Sequence, residues 1–180
     1  MPRMLSSVRR PLRTLLLATS LLAPTFAVTT LHVAPASATS VLCSGYTACS
    51  SGIFTTHGYA GTSGRSYWSM YAGHNCTNYV AYVMIKLGVP QPGGLKNGHG
   101  NATNWGPAFS AAGYQLSNTA KPGDIAWWRG NGSSGHVAYV ERVDSSGIAI
   151  SEDAWRGNFD WSRLSTYGAP TAYIHIKSAK

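Results

Sequence analysis

Charge is scarce in this chain. Only six of its 180 residues are Asp or Glu, and charged residues of both signs make up 11%. Lys and Arg nowhere cluster, which speaks against nucleic acid as a partner. No C-x-x-C pair occurs, which sets aside a thiol–disulfide oxidoreductase. Internal repeats, runs of like charge and low-complexity tracts are all missing. With so few acids, a carboxylate that orients a catalytic group must come from Asp124, Glu141, Asp144, Glu152, Asp153 or Asp160.

The first 38 residues read as a signal peptide. Arg3, Arg9, Arg10 and Arg13 form a basic leader without acids, and an apolar run from Leu15 to Val33 follows, interrupted by Pro24. Ala36-Ser37-Ala38 has the small-x-small form of a signal-peptidase site, so cleavage is expected after Ala38. A retained anchor is the weaker reading, because the apolar run is broken and the cleavage site is good. The product is therefore expected outside the cell, at or near the wall, without a stable membrane anchor. The export route stays open: Pro11 and Arg13 fit a twin-arginine motif poorly, and Leu42 occupies the small-residue position of a lipobox before Cys43.

Residues 39–180 are enough for one domain with a real core. Ten Lys and Arg face six Asp and Glu there, a net charge of +4 that favours an anionic polymer such as a bacterial wall. Six Trp and ten Tyr are many for this length, and some could line a groove for sugar or peptide. Three cysteines occur, Cys43, Cys49 and Cys76. In an oxidising compartment, a bond between Cys43 and Cys49 would staple the new N-terminus and leave Cys76 as the odd thiol. Pairing either one with Cys76 is also compatible with the sequence, but would bury the thiol at a helix start and leave an exposed one.

Cys76 lies where a polar loop becomes an apolar-periodic segment. Asn75 is a good N-cap; Val80, Val83, Met84 and Leu87 then fall on one helical face, and Gly88 and Pro90 supply the stop. The first turn of a helix favours a thiolate, through unpaired N–H groups and the helix dipole. That placement suits a nucleophile; a buried structural cysteine is the bland alternative. Residues 50–72 read as loop with a short helix around Tyr67–Tyr71, and Gln91–Gly100 as loop. Ala102 to Ala112 form a second helix ended by Gly113. Strands follow at Ile125–Trp128, His136–Val143, Ile148–Glu152 and Ala172–Ile176. Helices first and an antiparallel sheet after make an α+β layout.

A cysteine nucleophile needs a base, usually a histidine oriented by a polar group. His57 and His99 read as solvated loop residues, His175 as a strand residue facing solvent, and His74 as pointing away from Cys76 across a turn. His136 differs, because it opens a strand directly after a Gly- and Ser-rich turn. A three-residue loop, Ser145 to Gly147, with Gly147 left-handed, would put His136 and Glu152 on one face; a two- or four-residue loop would separate them.

Four segments, in order, resemble the CHAP domain, the cysteine, histidine-dependent amidohydrolase/peptidase family: Gly73-His74-Asn75-Cys76-Thr77-Asn78-Tyr79-Val80, Lys121-Pro122-Gly123-Asp124-Ile125-Ala126-Trp127-Trp128, Gly135-His136-Val137-Ala138-Tyr139-Val140-Glu141 and Ile150-Ser151-Glu152-Asp153-Ala154-Trp155. The stretch Gly100–Trp105 is similar to the family's second-helix region. The resemblance implies a papain-like fold over residues 66–180, behind an N-terminal extension at 39–65. It also implies Cys76 as nucleophile, His136 as general base, Glu152 as the group orienting it, and amide cleavage in peptidoglycan without metal or cofactor. The Cys76 N–H, with the Asn75 side-chain amide, is the candidate oxyanion donor. Ala154 stands where many members carry an asparagine, which keeps open a catalytically inactive CHAP-like module that binds wall or a host protein. Asp153 is left outside the site.

Overall fold

The computed structural model describes residues 40–130, 134–154, 157–163 and 168–176. The leader and its cleavage site lie outside the described residues, as does Trp155. Among the described residues, seven strands form one sheet: β1 (Val41–Ser44), β2 (Gln115–Ser117), β3 (Ile125–Trp128), β4 (His136–Asp144), β5 (Gly147–Asp153), β6 (Phe159–Ser162) and β7 (Ala172–His175). Their order is β1-β6-β5-β4-β3-β7-β2, with antiparallel neighbours throughout. Helix α1 (Cys76–Lys86) packs on β4 and β5, and the shorter α2 (Trp105–Ala111) on β2 and β7. The chain is thus mixed helix and antiparallel sheet, with the sheet dominant.

Helix α1 begins where the sequence places it. Asn75 is extended, and its side-chain Oδ1 accepts from the N–H groups of Thr77 and Asn78, satisfying donors that a first turn otherwise leaves unpaired. Every residue from Cys76 to Ala81 is buried, together with Val83 and Met84. Leu87 departs from the expected stripe. It is the C-cap, 41% exposed, because the helix ends one residue earlier and Gly88 turns the chain with φ +74°.

The core between helices and sheet is largely aromatic. Tyr59, Tyr79, Trp105, Phe109 and Phe159 are fully buried. Tyr59 stands edge-on to Tyr79, and Tyr79 edge-on to Phe159, at centroid distances of 5.3 and 5.0 Å. A side chain at Gly106 would collide with the Trp127 ring, so glycine lets the first turn of α2 sit against that side chain of β3.

Three strands go beyond the sequence reading: β1, β2 and β6. The segment before residue 65 contributes the edge strand β1, which pairs with β6. A Cys43–Cys49 disulfide ties β1 to the short 3-10 turn that follows. The expected helix around Tyr67–Tyr71 does not form. Trp68 and Ser69 there take φ of +50° and +63°, a left-handed backbone that no right-handed helix contains.

The β4–β5 hairpin corrects one step of the sequence argument. Gly147 does have positive φ, but it pairs with Asp144, so the loop has two residues. That loop alone would put His136 and Glu152 on opposite faces. A bulge between Val140 and Arg142 absorbs one residue, and Tyr139 then pairs with Ser151. The extra residue restores the parity the shorter loop removes.

Candidate functional site

Three elements deliver the side chains that sequence reasoning singles out. Cys76, the first residue of α1, is 8% exposed and is the free cysteine. His136 opens β4. Gly135 before it has φ +73°, and a Cβ there would lie 2.7 Å from both the Thr103 nitrogen and the Trp128 carbonyl. Only glycine lets the chain enter β4 this tightly, which fixes where the imidazole starts. Glu152 lies near the end of β5. The register, continued by one residue from Tyr139–Ser151, sets it opposite Ala138, diagonal to His136.

The imidazole Nε2 of His136 is hydrogen-bonded to Glu152 Oε2, and both side chains are almost wholly buried, at 4% and 6% exposure. Cys76 lies near enough to the ring to raise its proton affinity. With Nε2 taken by Glu152, Nδ1 is the nitrogen left for the sulfur. Burial alone would lower the proton affinity of His136. The interactions with Cys76 and then with Glu152, with the charges of both, outweigh it and raise the pKa from 6.5 to about 9. The arrangement favours an imidazolium between a sulfur and a carboxylate. It also leaves the ring tilted against Trp128, centroids 5.3 Å apart.

A groove of about 650 Å³ opens beside Cys76, lined by residues 69–71, 75–77, 98, 100–102, 134 and 135. None of these described lining residues is charged. Asn75 lines the groove while capping α1. Capping occupies only its acceptor, Oδ1, which takes Thr77 N at 3.0 Å, Thr77 Oγ1 at 2.6 Å and Asn78 N at 3.1 Å. The Asn75 amide donors take no part in it. The N–H of Cys76, at the first helical position, has no intrahelical partner either.

Three other histidines pair with carboxylates too. His57 meets Glu141 at 2.7 Å and His175 meets Asp124 at 2.7 Å, so neither is the solvated side chain expected from sequence. His74 meets Asp153 at 2.6 Å. His99 is exposed, as expected. Among the described residues, a carboxylate partner therefore does not distinguish a base; burial at 4% and closeness to Cys76 do. The sequence reading also missed residues that shape the site. Asp160 pairs across the strands with Glu152. Asn78, fully buried on α1, bonds the Tyr59 hydroxyl, Arg65 O and Tyr67 N, fastening the groove wall to the helix that starts at Cys76. A buried asparagine inside a helix that starts with a cysteine was the available signal.

The sequence model of the CHAP domain family matches residues 65–154, half of the chain. The chain belongs to the CHAP domain family. Among curated proteins it is 40% identical over 104 residues to staphylococcal secretory antigen ssaA2 of Staphylococcus aureus, covering 57% of this chain and 34% of that protein. It is 38% identical to staphylococcal secretory antigen SsaA of the same species, covering 57% and 36%. The chain thus spans about a third of the length of the curated relatives it matches. Among solved structures, an N-acetylmuramoyl-L-alanine amidase from Staphylococcus aureus matches at 30% identity over 59% of this chain and 32% of that one, with a TM-score of 0.46.

Proposed function

We propose that the chain is a secreted, cysteine-dependent peptidoglycan hydrolase with a papain-like catalytic arrangement. The observation that carries this reading is the line Cys76–His136–Glu152, buried at the head of an uncharged groove, in a member of the CHAP family. The names of the secretory antigens that it resembles agree with export.

In this mechanism the Cys76 thiolate attacks an amide carbonyl carbon. The C=O π pair moves to oxygen, which the Cys76 N–H and the Asn75 side-chain amide face. Collapse breaks the C–N bond, and His136 gives its Nδ1 proton to the departing amine. Water then attacks the thioester carbonyl carbon while one of its protons passes to His136; collapse breaks the C–S bond and returns the Cys76 thiolate, and the product acid leaves and ionises to its carboxylate. Glu152 keeps the imidazole oriented and balances its charge. A groove without charged walls suits the uncharged stretch of peptide backbone around a scissile amide.

Digestion of purified walls with residues 39–180, followed by mass spectrometry of the soluble fragments, tests this. New muramic acid carboxyls paired with free stem N-termini identify an amidase, and new termini within the peptide an endopeptidase. A second reading, an inactive wall-binding module, draws on Ala154. It predicts pelleting with walls and no new termini.

A further inference from the structure

Glu152 and Asp153 are consecutive on β5, so their side chains leave opposite sides of the strand. Glu152 goes to His136. Asp153, wholly buried, goes to the loop that leads into Cys76. Its Oδ1 meets His74 Nδ1 at 2.6 Å, and its Oδ2 accepts from the Tyr46 hydroxyl at 2.9 Å. Tyr46 in turn stacks on the His74 ring, centroids 5.0 Å apart and planes within 11°. Tyr46 sits inside the seven-residue loop closed by Cys43–Cys49. A covalently closed loop, an aromatic strut and a buried carboxylate therefore converge on His74, two residues before Cys76.

We propose that Asp153 is a positioning residue for Cys76, and that Tyr46, held by the Cys43–Cys49 loop, completes the brace. The inference rests on Cys76 being the nucleophile. Asp153 and Tyr46 hold the His74 ring, and His74 leads directly into Asn75, the extended cap from which α1 starts, so the brace sets where the Cys76 sulfur and N–H face the groove. Gly73 is held from the other side: its N–H bonds Ser63 O at 2.7 Å and its carbonyl accepts from the Tyr59 hydroxyl at 2.8 Å. Burial raises the Tyr46 hydroxyl's pKa above its ordinary value, which keeps the proton it donates to Asp153. The disulfide, on the sequence reading a remote staple of the N-terminus, is thereby coupled to the site.

The test uses residues 39–180 carrying Asp153→Asn, Tyr46→Phe, the pair Cys43→Ser/Cys49→Ser, and that pair combined with Tyr46→Phe. Two rates are read at neutral pH: wall-fragment hydrolysis, resolved into kcat and KM, and alkylation of Cys76 by iodoacetamide. Expected is a fall in kcat of about 10–100-fold for Asp153→Asn and a smaller fall for Tyr46→Phe, with KM unchanged and slower alkylation, since misplacing a reacting group by about 1 Å can cost a factor of about 100. Loss of the disulfide should lower kcat, and adding Tyr46→Phe to it should cost little more, because both act through one strut. A folded Asp153→Asn protein with unchanged or faster alkylation and unchanged kcat overturns the proposal; if that variant does not fold, wild-type rates in Tyr46→Phe overturn it. Fully additive effects of the disulfide and Tyr46 overturn the role given to the disulfide. If alkylation slows as expected while even the wild type releases nothing from walls, the brace stands and the hydrolase reading fails.

Discussion

Replacing Glu152 with glutamine isolates what its charge does for His136. Glutamine has the same length and still offers an oxygen to Nε2–H, so orientation survives while the negative charge goes. Burial opposes the imidazolium, and the interactions with Cys76 and Glu152 together raise the pKa from 6.5 to about 9. A hydrogen bond to a charged group contributes about 1.5–3 kcal/mol and a neutral one about 0.5–1.5, a difference of about 1–1.5 kcal/mol. That corresponds to about one pH unit. In the proposed mechanism the imidazolium protonates the leaving amine, so kcat/KM should fall on the alkaline side with a limb near the His136 value. In Glu152→Gln that limb should move down by about one unit. Glu152→Ala also removes the acceptor in a buried place, at a cost of about 1–3 kcal/mol, and should lower the rate by about 10–100-fold. The assay is release of amines from soluble wall fragments between pH 5 and pH 10. An alkaline limb that stays in place in Glu152→Gln would refute the claim that this carboxylate shapes the base.

Three further outcomes follow from the same geometry. Ala154→Asn, which installs the residue many family members carry, should change the wall-clearing rate by no more than about tenfold, since Glu152 already holds the ring; conversion of an inert protein into an active one would show the amide to be essential. His136→Ala should cost about 10²–10⁴-fold in rate and His74→Ala much less, because His74 is bonded to Asp153 instead of Cys76; equal losses would contradict the assignment. Because the folded His136 pKa is raised, the stability it contributes is fully present below about pH 6.5 and is lost as the pH rises through about 9; urea unfolding of the wild type should show this loss, and His136→Gln should lack it.

Much of the site was legible because it depends on local chemistry. An N-cap, an apolar period of 3.6 and a glycine stop define α1, and the cysteine at its head is visible without any tertiary knowledge. The four strands marked by apolar runs or by alternation, β3, β4, β5 and β7, were equally readable. Strands β1, β2 and β6 are short and mixed with Ser, Gln or Asp, and β1 and β2 lie at the sheet edges, so neither an apolar run nor an alternation marks them. The relation of His136 to Glu152 shows a different limit. The expected shared face was right, yet the loop argument behind it was not, because the bulge before Arg142 offset a shorter loop. Bulges arise from how two strands twist together and leave no mark in a single strand's pattern. Asp153 was passed over for a related reason: its partners, Tyr46 and His74, are 107 and 79 residues away in sequence.

The most direct test of the central claim is wall lysis by residues 39–180 with and without the Cys76 sulfur. Cys76→Ser replaces one atom at the first turn of α1 and leaves the cap, the core and the groove in place, so folding and wall binding should match the wild type. The account predicts that the wild type releases new carboxyl and amine termini from purified walls, that Cys76→Ser releases none, and that iodoacetamide labels Cys76 alone in the unreduced protein. Undiminished release by Cys76→Ser would contradict it.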